Sequence, residues 1–201
     1  GNVKENMKRH LAMMREAKEK HVSIVTFPEL SLTGYTCGDL FFQRRLLDDV
    51  TDALLALKDE MPEGILAVVG APLEIEGALY NCAVVLHKGE IISAVPKTFL
   101  PNNGEFYEKR WFQSGDARRD ASVAIPKLKT DVCRQAIFET EDGVRFGIEL
   151  CEDLWAPLPP STMLSVEGAE IILNLSASNE LLSKREYRQQ LISQQLSLIH
   201  I

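Results

Sequence analysis

Apolar residues recur at helical spacing in two places early in the chain. Met7, Leu11, Met14 and Ala17 share one face of residues 4–20, with Lys, Arg and Glu opposite. Leu46, Val50, Ala53, Leu54 and Leu57 repeat the pattern, closed by Met61-Pro62-Glu63-Gly64. Short continuous apolar runs read instead as buried strands: residues 22–27, 65–70, 79–87, 90–95, 133–139, 144–150 and 169–175. Lys88-Gly89 predicts a hairpin between the third and fourth, and Glu141-Asp142-Gly143 another between the fifth and sixth. Residues 101–104 must be loop, residues 116–131 carry no clear pattern, and a polar helix is predicted over 184–195. Strands alternate with helices in the first and last thirds while hairpins fill the middle, which predicts an α/β chain with a mixed sheet.

Composition narrows the function classes. A net charge of -7 and a pI near 5.2 argue against nucleic acid or an anionic membrane as partner. No apolar run approaches the roughly 20 residues of a membrane span. Cys37, Cys82, Cys133 and Cys151 lie far apart with no CxxC pair, so neither a zinc site nor a disulfide framework is indicated, and a reducing cytoplasm is the simplest location.

Three predicted strands end in a reactive side chain: Glu29 after Phe27-Pro28, Lys97 after Val95-Pro96, and Cys151 after Glu149-Leu150. Each has an ordinary reading. A lone Glu or Lys after a strand is usually solvated, and a lone Cys is usually a small buried apolar group. Together they make a base, a cation and a thiol at strand ends, where sites in α/β sheets gather. Glu152 and Asp153 place negative charge beside Cys151, which raises the thiol pKa and calls for a base from elsewhere in the chain. The four histidines read as helix surface (His10), loop (His21), hairpin edge (His87) and tail (His200), so a Cys-His pair is the weaker arrangement.

Phe27-Pro28-Glu29-Leu30, Pro96-Lys97-Thr98-Phe99-Leu100-Pro101 and Glu149-Leu150-Cys151-Glu152-Asp153-Leu154-Trp155 resemble, in order and spacing, the three signature segments of the nitrilase (carbon–nitrogen hydrolase) superfamily. Leu32-Thr33-Gly34-Tyr35-Thr36-Cys37-Gly38-Asp39-Leu40-Phe41, the segment Glu105-Phe106-Tyr107-Glu108-Lys109-Arg110-Trp111-Phe112 and Asn174-Leu175-Ser176-Ala177-Ser178-Asn179 are similar to a subgroup, the glutaminase domains of glutamine-dependent NAD synthetases. The resemblance implies an α-β-β-α sandwich and a thioester mechanism. In it Cys151 attacks the amide carbon of glutamine, Glu29 is the general base, and Lys97 stabilises the oxyanion with the backbone N–H of Glu152. Glu105 matches a second active-site glutamate. Ser178 matches a glutamine-binding serine. Lys184 falls where an arginine holds the α-carboxylate, and Asn103 stands where a tyrosine usually does; both departures bear on glutamine affinity.

The same resemblance implies that residues 1–195 form a glutaminase domain incomplete at both ends, with exposed sheet edges. Residues 196–201 fit none of it and are set apart as a non-native tail. It implies no cofactor and no metal for this chain. ATP and Mg belong to a separate ATP-dependent NAD synthetase domain, and the complete protein is expected to be a homo-oligomer. The alternatives are a stand-alone amidase acting on an ω-amide or carbamoyl substrate, and a non-catalytic oligomerisation module. Against the module stands the retention of Glu29, Lys97 and Cys151 together.

Overall fold

The computed structural model describes residues 1–117 and 122–199. Two helices come first in the packing order: α1 (Val3–Glu19) and α2 (Arg44–Glu60), both on the predicted faces. Asn2 caps α1 by accepting the N–H of Glu5. The larger sheet contains β1 (Ile24–Thr26), β2 (Leu66–Ile75), β3 (Ala78–His87), β4 (Glu90–Pro96), β5 (Ser122–Ile125) and β6 (Thr130–Cys133), in the order β1-β2-β3-β4-β6-β5. The smaller contains β7 (Ile137–Glu139), β8 (Arg145–Leu150) and β9 (Ile171–Leu175), with β8 central and parallel to β9.

Period-two alternation along β2 and β3 assigns the two faces of the large sheet. Ala67, Val69, Ala71, Tyr80, Cys82 and Val84 join the core under α1 and α2. Val68, Ala83, Val85 and Val95 face the small sheet and pack on Phe146, Ile148, Leu150 and Leu175. On the far side of the small sheet lies α4 (Pro160–Val166), whose Leu164 sits so close to Gly147 that a Cβ there would meet it at 2.8 Å. The last helix, α5 (Lys184–Ile199), packs on α4. The layers are α-β-β-α. Residues 196–199, set apart above as a tail, continue α5, and residues 200–201 lie outside the described residues.

The structure differs from the sequence expectation in three places. The run 133–139 is not one strand: Cys133 closes β6 in the large sheet, Gln135 turns with φ 56°, and β7 starts the small sheet. The patternless stretch holds the edge hairpin β5–β6. His10 is not helix surface but buried, stacked on Phe27, with its ring nitrogens on Asn6 O and Ser31 Oγ.

Candidate active site

The alternation that buries Ala83, Val85 and Val95 between the sheets also points Asn81 and Lys97 there, at the end where the strands leave the apolar packing. Lys97 is 0 % exposed. Its backbone is pinned on both sides, N–H to Asn81 O at 2.8 Å and carbonyl from Gly115 N–H at 2.7 Å. Its Nζ donates to Glu29 Oε1 at 2.6 Å and to Glu108 Oε1 at 2.7 Å. Burial disfavours the ammonium, but the two carboxylates outweigh it and raise the Lys97 pKa. Two of three donor positions are thus occupied, leaving one for a ligand oxygen.

Glu29 is held at every oxygen. Oε1 also accepts from Asn81 Nδ2 at 2.8 Å, and Oε2 accepts the Ala177 N–H at 3.1 Å. Its turn rests against Gly70, where a Cβ would come within 2.3 Å of Pro28 O and 2.4 Å of Leu30 N; only glycine lets the turn approach β2. Glu108 begins the short helix α3 (Glu108–Trp111) with its N–H on Pro101 O, which aims the carboxylate inward. The Tyr35 hydroxyl donates to its Oε1 at 2.7 Å. Burial raises the Glu108 pKa, with Lys97 opposing, and burial with the Glu108 charge raises that of Tyr35.

Cys151 leaves β8 with φ 42°, the left-handed region, and opens a 3₁₀ turn, Cys151–Trp155. Such a conformation is costly for a side chain bearing Cβ and turns the thiol out of the sheet. Burial pushes the thiol up to about 11. The Glu29 charge adds to this, while Lys97, the Ser176 side chain and the Ala177 N–H pull it down. The carboxylates beside Cys151 in sequence are not the cause. Asp153 turns away and accepts the N–H groups of Thr98, Phe99 and Leu150 at 3.1, 2.7 and 3.0 Å, fastening the exit of Lys97 to the entry of Cys151.

Glu29, Lys97 and Cys151 therefore meet in one buried cluster. Glu105 does not join them. It is exposed and bonded to the Asn179 amide; the second carboxylate on Lys97 is Glu108, three residues further on. Asn103 is exposed in the same loop. Ser178 is half-buried with Oγ on Asn179 O at 3.4 Å, and Lys184 bonds Asn179 Oδ1 and lies 5.4 Å above the Trp155 ring. Glu152, half-buried, lines a cavity of about 420 Å³ with Thr98, Phe99, Lys109 and Trp155. Asn81 and Tyr35 escaped the sequence reading; an amide inside the apolar run 79–87 was the available signal for the first.

A cysteine on a strained strand end, facing a buried Glu-Lys-Glu cluster, defines a cysteine hydrolase of the α-β-β-α class. The family model for carbon-nitrogen hydrolases matches residues 1–198, and the chain belongs to that family. It is 37% identical over 182 residues to the glutamine-dependent NAD(+) synthetase of Mycobacterium tuberculosis, covering 89% of this chain and 27% of that protein. The rat glutamine-dependent NAD(+) synthetase is 31% identical over 197 residues, covering 94% and 27%. The chain thus spans about a quarter of the length of these relatives. Among solved structures, the glutamine-dependent NAD+ synthetase of Acinetobacter baumannii superposes with TM-score 0.85 at 29% identity, over 100% of this chain and 34% of that one. An amidase of the nitrilase superfamily from Nesterenkonia, at 17% identity, shares the fold with TM-score 0.76, over 99% and 68%.

Proposed function

We propose that this chain is the glutamine amidohydrolase part of a longer glutamine-dependent NAD synthetase. The observation that carries the reaction class is the buried Glu29–Lys97–Glu108 cluster closing on Cys151; the likeness to synthetases over nearly the whole chain supports the substrate. Glu29 takes the Sγ–H proton as sulfur attacks the side-chain amide carbon of glutamine. The carbonyl oxygen becomes an oxyanion that accepts the remaining Lys97 donor and the Glu152 N–H. Glu29 returns the proton to nitrogen, the C–N bond breaks, and ammonia leaves. Water, deprotonated by Glu29, then adds to the thioester, and the C–S bond breaks as Glu29 returns that proton to Sγ, releasing glutamate and restoring the Cys151 thiol. Glu108 keeps Lys97 charged and aimed.

Ser178 and Lys184 are assigned to the glutamine backbone, with Lys184 serving the α-carboxylate as a point charge in place of an arginine fork. Ammonia would pass to an ATP- and Mg-dependent ligase domain in the rest of the protein. A cytoplasmic location fits the acidic charge; among the described residues no helix is long and apolar enough to cross a membrane and no disulfide is formed. The experiment is Cys151→Ala in the full-length protein. Glutamine-dependent NAD formation should be lost and ammonia-dependent formation retained; equal loss of both would refute the assignment.

A further inference from the structure

We propose that Asn81 is a positioning residue that keeps Glu29 and Glu108 as two separate acceptors, so that Glu29 alone takes the thiol proton. The proposal rests on the amidohydrolase reading above and adds a residue to it. Asn81 is fully buried on β3, on the same face as Ala83 and Val85. Packing alone would favour an apolar residue there, since a buried amide is costly unless bonded. Yet the Asn81 side chain reaches both carboxylates: Nδ2 lies 2.8 Å from Glu29 Oε1 and 3.4 Å from Glu108 Oε2, while its backbone carbonyl accepts the Lys97 backbone N–H. The amide nitrogen must face the carboxylates, because the reversed amide would set an oxygen against two anions. Among the described residues its Oδ1 has no hydrogen-bond partner, and the protein contacts that orient the side chain are the two carboxylates.

One cation stands against two carboxylates here. Two carboxylates in one low-dielectric site take up a proton between them unless other donors stabilise both charges. The donors present are Lys97 Nζ on both, the Tyr35 hydroxyl on Glu108, the Ala177 N–H on Glu29, and Asn81 reaching toward each. The further titratable neighbours among the described residues are Cys151, neutral as a thiol, and Asp153, which feels the Lys97 charge and whose carboxyl burial pushes up to about 7 in wild type and variant alike. Removing the Asn81 donor leaves proton uptake as the relief, and a cluster holding that proton has no base to offer at neutral pH.

The test uses the full-length protein with Asn81→Leu, which keeps the branched heavy-atom shape without a donor, Asn81→Asp, which keeps shape and adds a third carboxylate, and Asn81→Thr, which keeps a shorter donor. Glutamate release and alkylation of Cys151 by iodoacetamide are followed against pH, alongside thermal unfolding. In Asn81→Leu the acid limb of glutamate release should move up by about one pH unit, a tenfold change in proton affinity, while alkylation of Cys151, relieved of a neighbouring anion, should climb at lower pH than in wild type. Below the wild-type limb kcat/KM should fall by up to tenfold with KM within threefold, and the loss should shrink toward pH 8.5. Asn81→Asp should shift further and Asn81→Thr less. A loss equal at every pH, or an unshifted limb, overturns the proposal. Should Asn81→Leu fail to fold, the near-isosteric pair Asn81→Thr and Asn81→Val carries the contrast, and identical profiles for the two overturn it. Wild-type protein that releases no glutamate would refute the amidohydrolase reading, while the alkylation limb still decides Asn81.

Discussion

Lys97 and Lys184 each sit between acceptors beside the same cysteine-bearing turn, and they are held in opposite ways. Lys97 grows from a strand end, is pinned through its own N–H and carbonyl, and spends two donors on buried carboxylates. Lys184 opens a surface helix, is half-buried, and rests on an amide oxygen and the Trp155 ring. The interior set is fixed by the packing of two sheets, and no single side chain can move without stranding a charge. The rim set is built from loops whose side chains bond one another: Glu105 to Asn179, Asn179 to Lys184. A fixed reaction centre under an adjustable rim lets one fold keep its chemistry while substrate preference changes.

The largest effect that separates the two lysines is loss of the buried one. Lys97→Met should lower amide turnover by at least about a thousandfold, since an oxyanion donor disappears while the base is left beside an uncompensated charge. Stability should fall by about 3–5 kcal/mol, as breaking a buried ion pair does. Lys184→Met should leave chemical unfolding within about 1 kcal/mol of wild type. Equal destabilisation by the two, measured in urea, would erase the distinction between core and rim.

The next effect concerns the thiol between them. With its pKa pushed up to about 11, Cys151 holds its proton at neutral pH, and the thiolate fraction is roughly a hundredfold below that of an ordinary cysteine. Alkylation by iodoacetamide without substrate should therefore be slow at pH 7 and climb toward pH 11. Because Glu29 is one cause, Glu29→Gln should move the climb to lower pH, even as it abolishes turnover. A climb centred near pH 8.5 in wild type would show that neither burial nor Glu29 controls the thiol.

The division between interior and rim also explains what could be read from residues alone. Helical and strand periods located α1, α2 and β1–β4, because those elements bury one clean face or two. Glu29, Lys97 and Cys151, which the structure brings together, were visible as reactive side chains closing apolar runs. The resemblance points to Glu105, whereas the second carboxylate on Lys97 is Glu108; which of two glutamates three residues apart turns inward depends on where a loop becomes a helix, and Pro101 O capturing the Glu108 N–H is a tertiary event. His10 was misplaced for a related reason: its burial comes from Ser31 and Phe27, distant in the chain. The charged neighbours of Cys151 misled as to cause, since sequence adjacency does not show that Asp153 faces backbone amides.

A smaller effect belongs to the rim cation. Lys184→Ala should raise KM for glutamine about tenfold and lower kcat by less, the signature of lost ground-state binding. Lys184→Arg should match or better the wild type, because a guanidinium offers a bidentate fork to a carboxylate. An unchanged KM in Lys184→Ala, from initial rates of glutamate release, would remove this lysine from substrate recognition.

The smallest effect is expected at Glu105, and it sharpens the comparison most. Glu105 is exposed, and its partner Asn179 is neutral, so Glu105→Gln keeps a hydrogen-bonding side chain in reach and removes only charge. Its hydrogen bonds lead through Asn179 to Lys184, the residue proposed above for the glutamine α-carboxylate. The variant should keep kcat within about twofold, with any change confined to KM. Glu108→Gln alters the buried partner of Lys97 itself: one anion is lost beside the ammonium, and the oxygen that Tyr35 and Lys97 share becomes a weaker acceptor. There kcat should fall on the order of a hundredfold or more with KM nearly constant, comparable to loss of one preorganised electrostatic contact. The two variants, assayed side by side, differ by three residues in sequence and by burial in space. The reverse pattern, with kcat lost in Glu105→Gln and kept in Glu108→Gln, would put the second glutamate of the reaction on the rim and require the loop of residues 101–107 to fold inward on substrate.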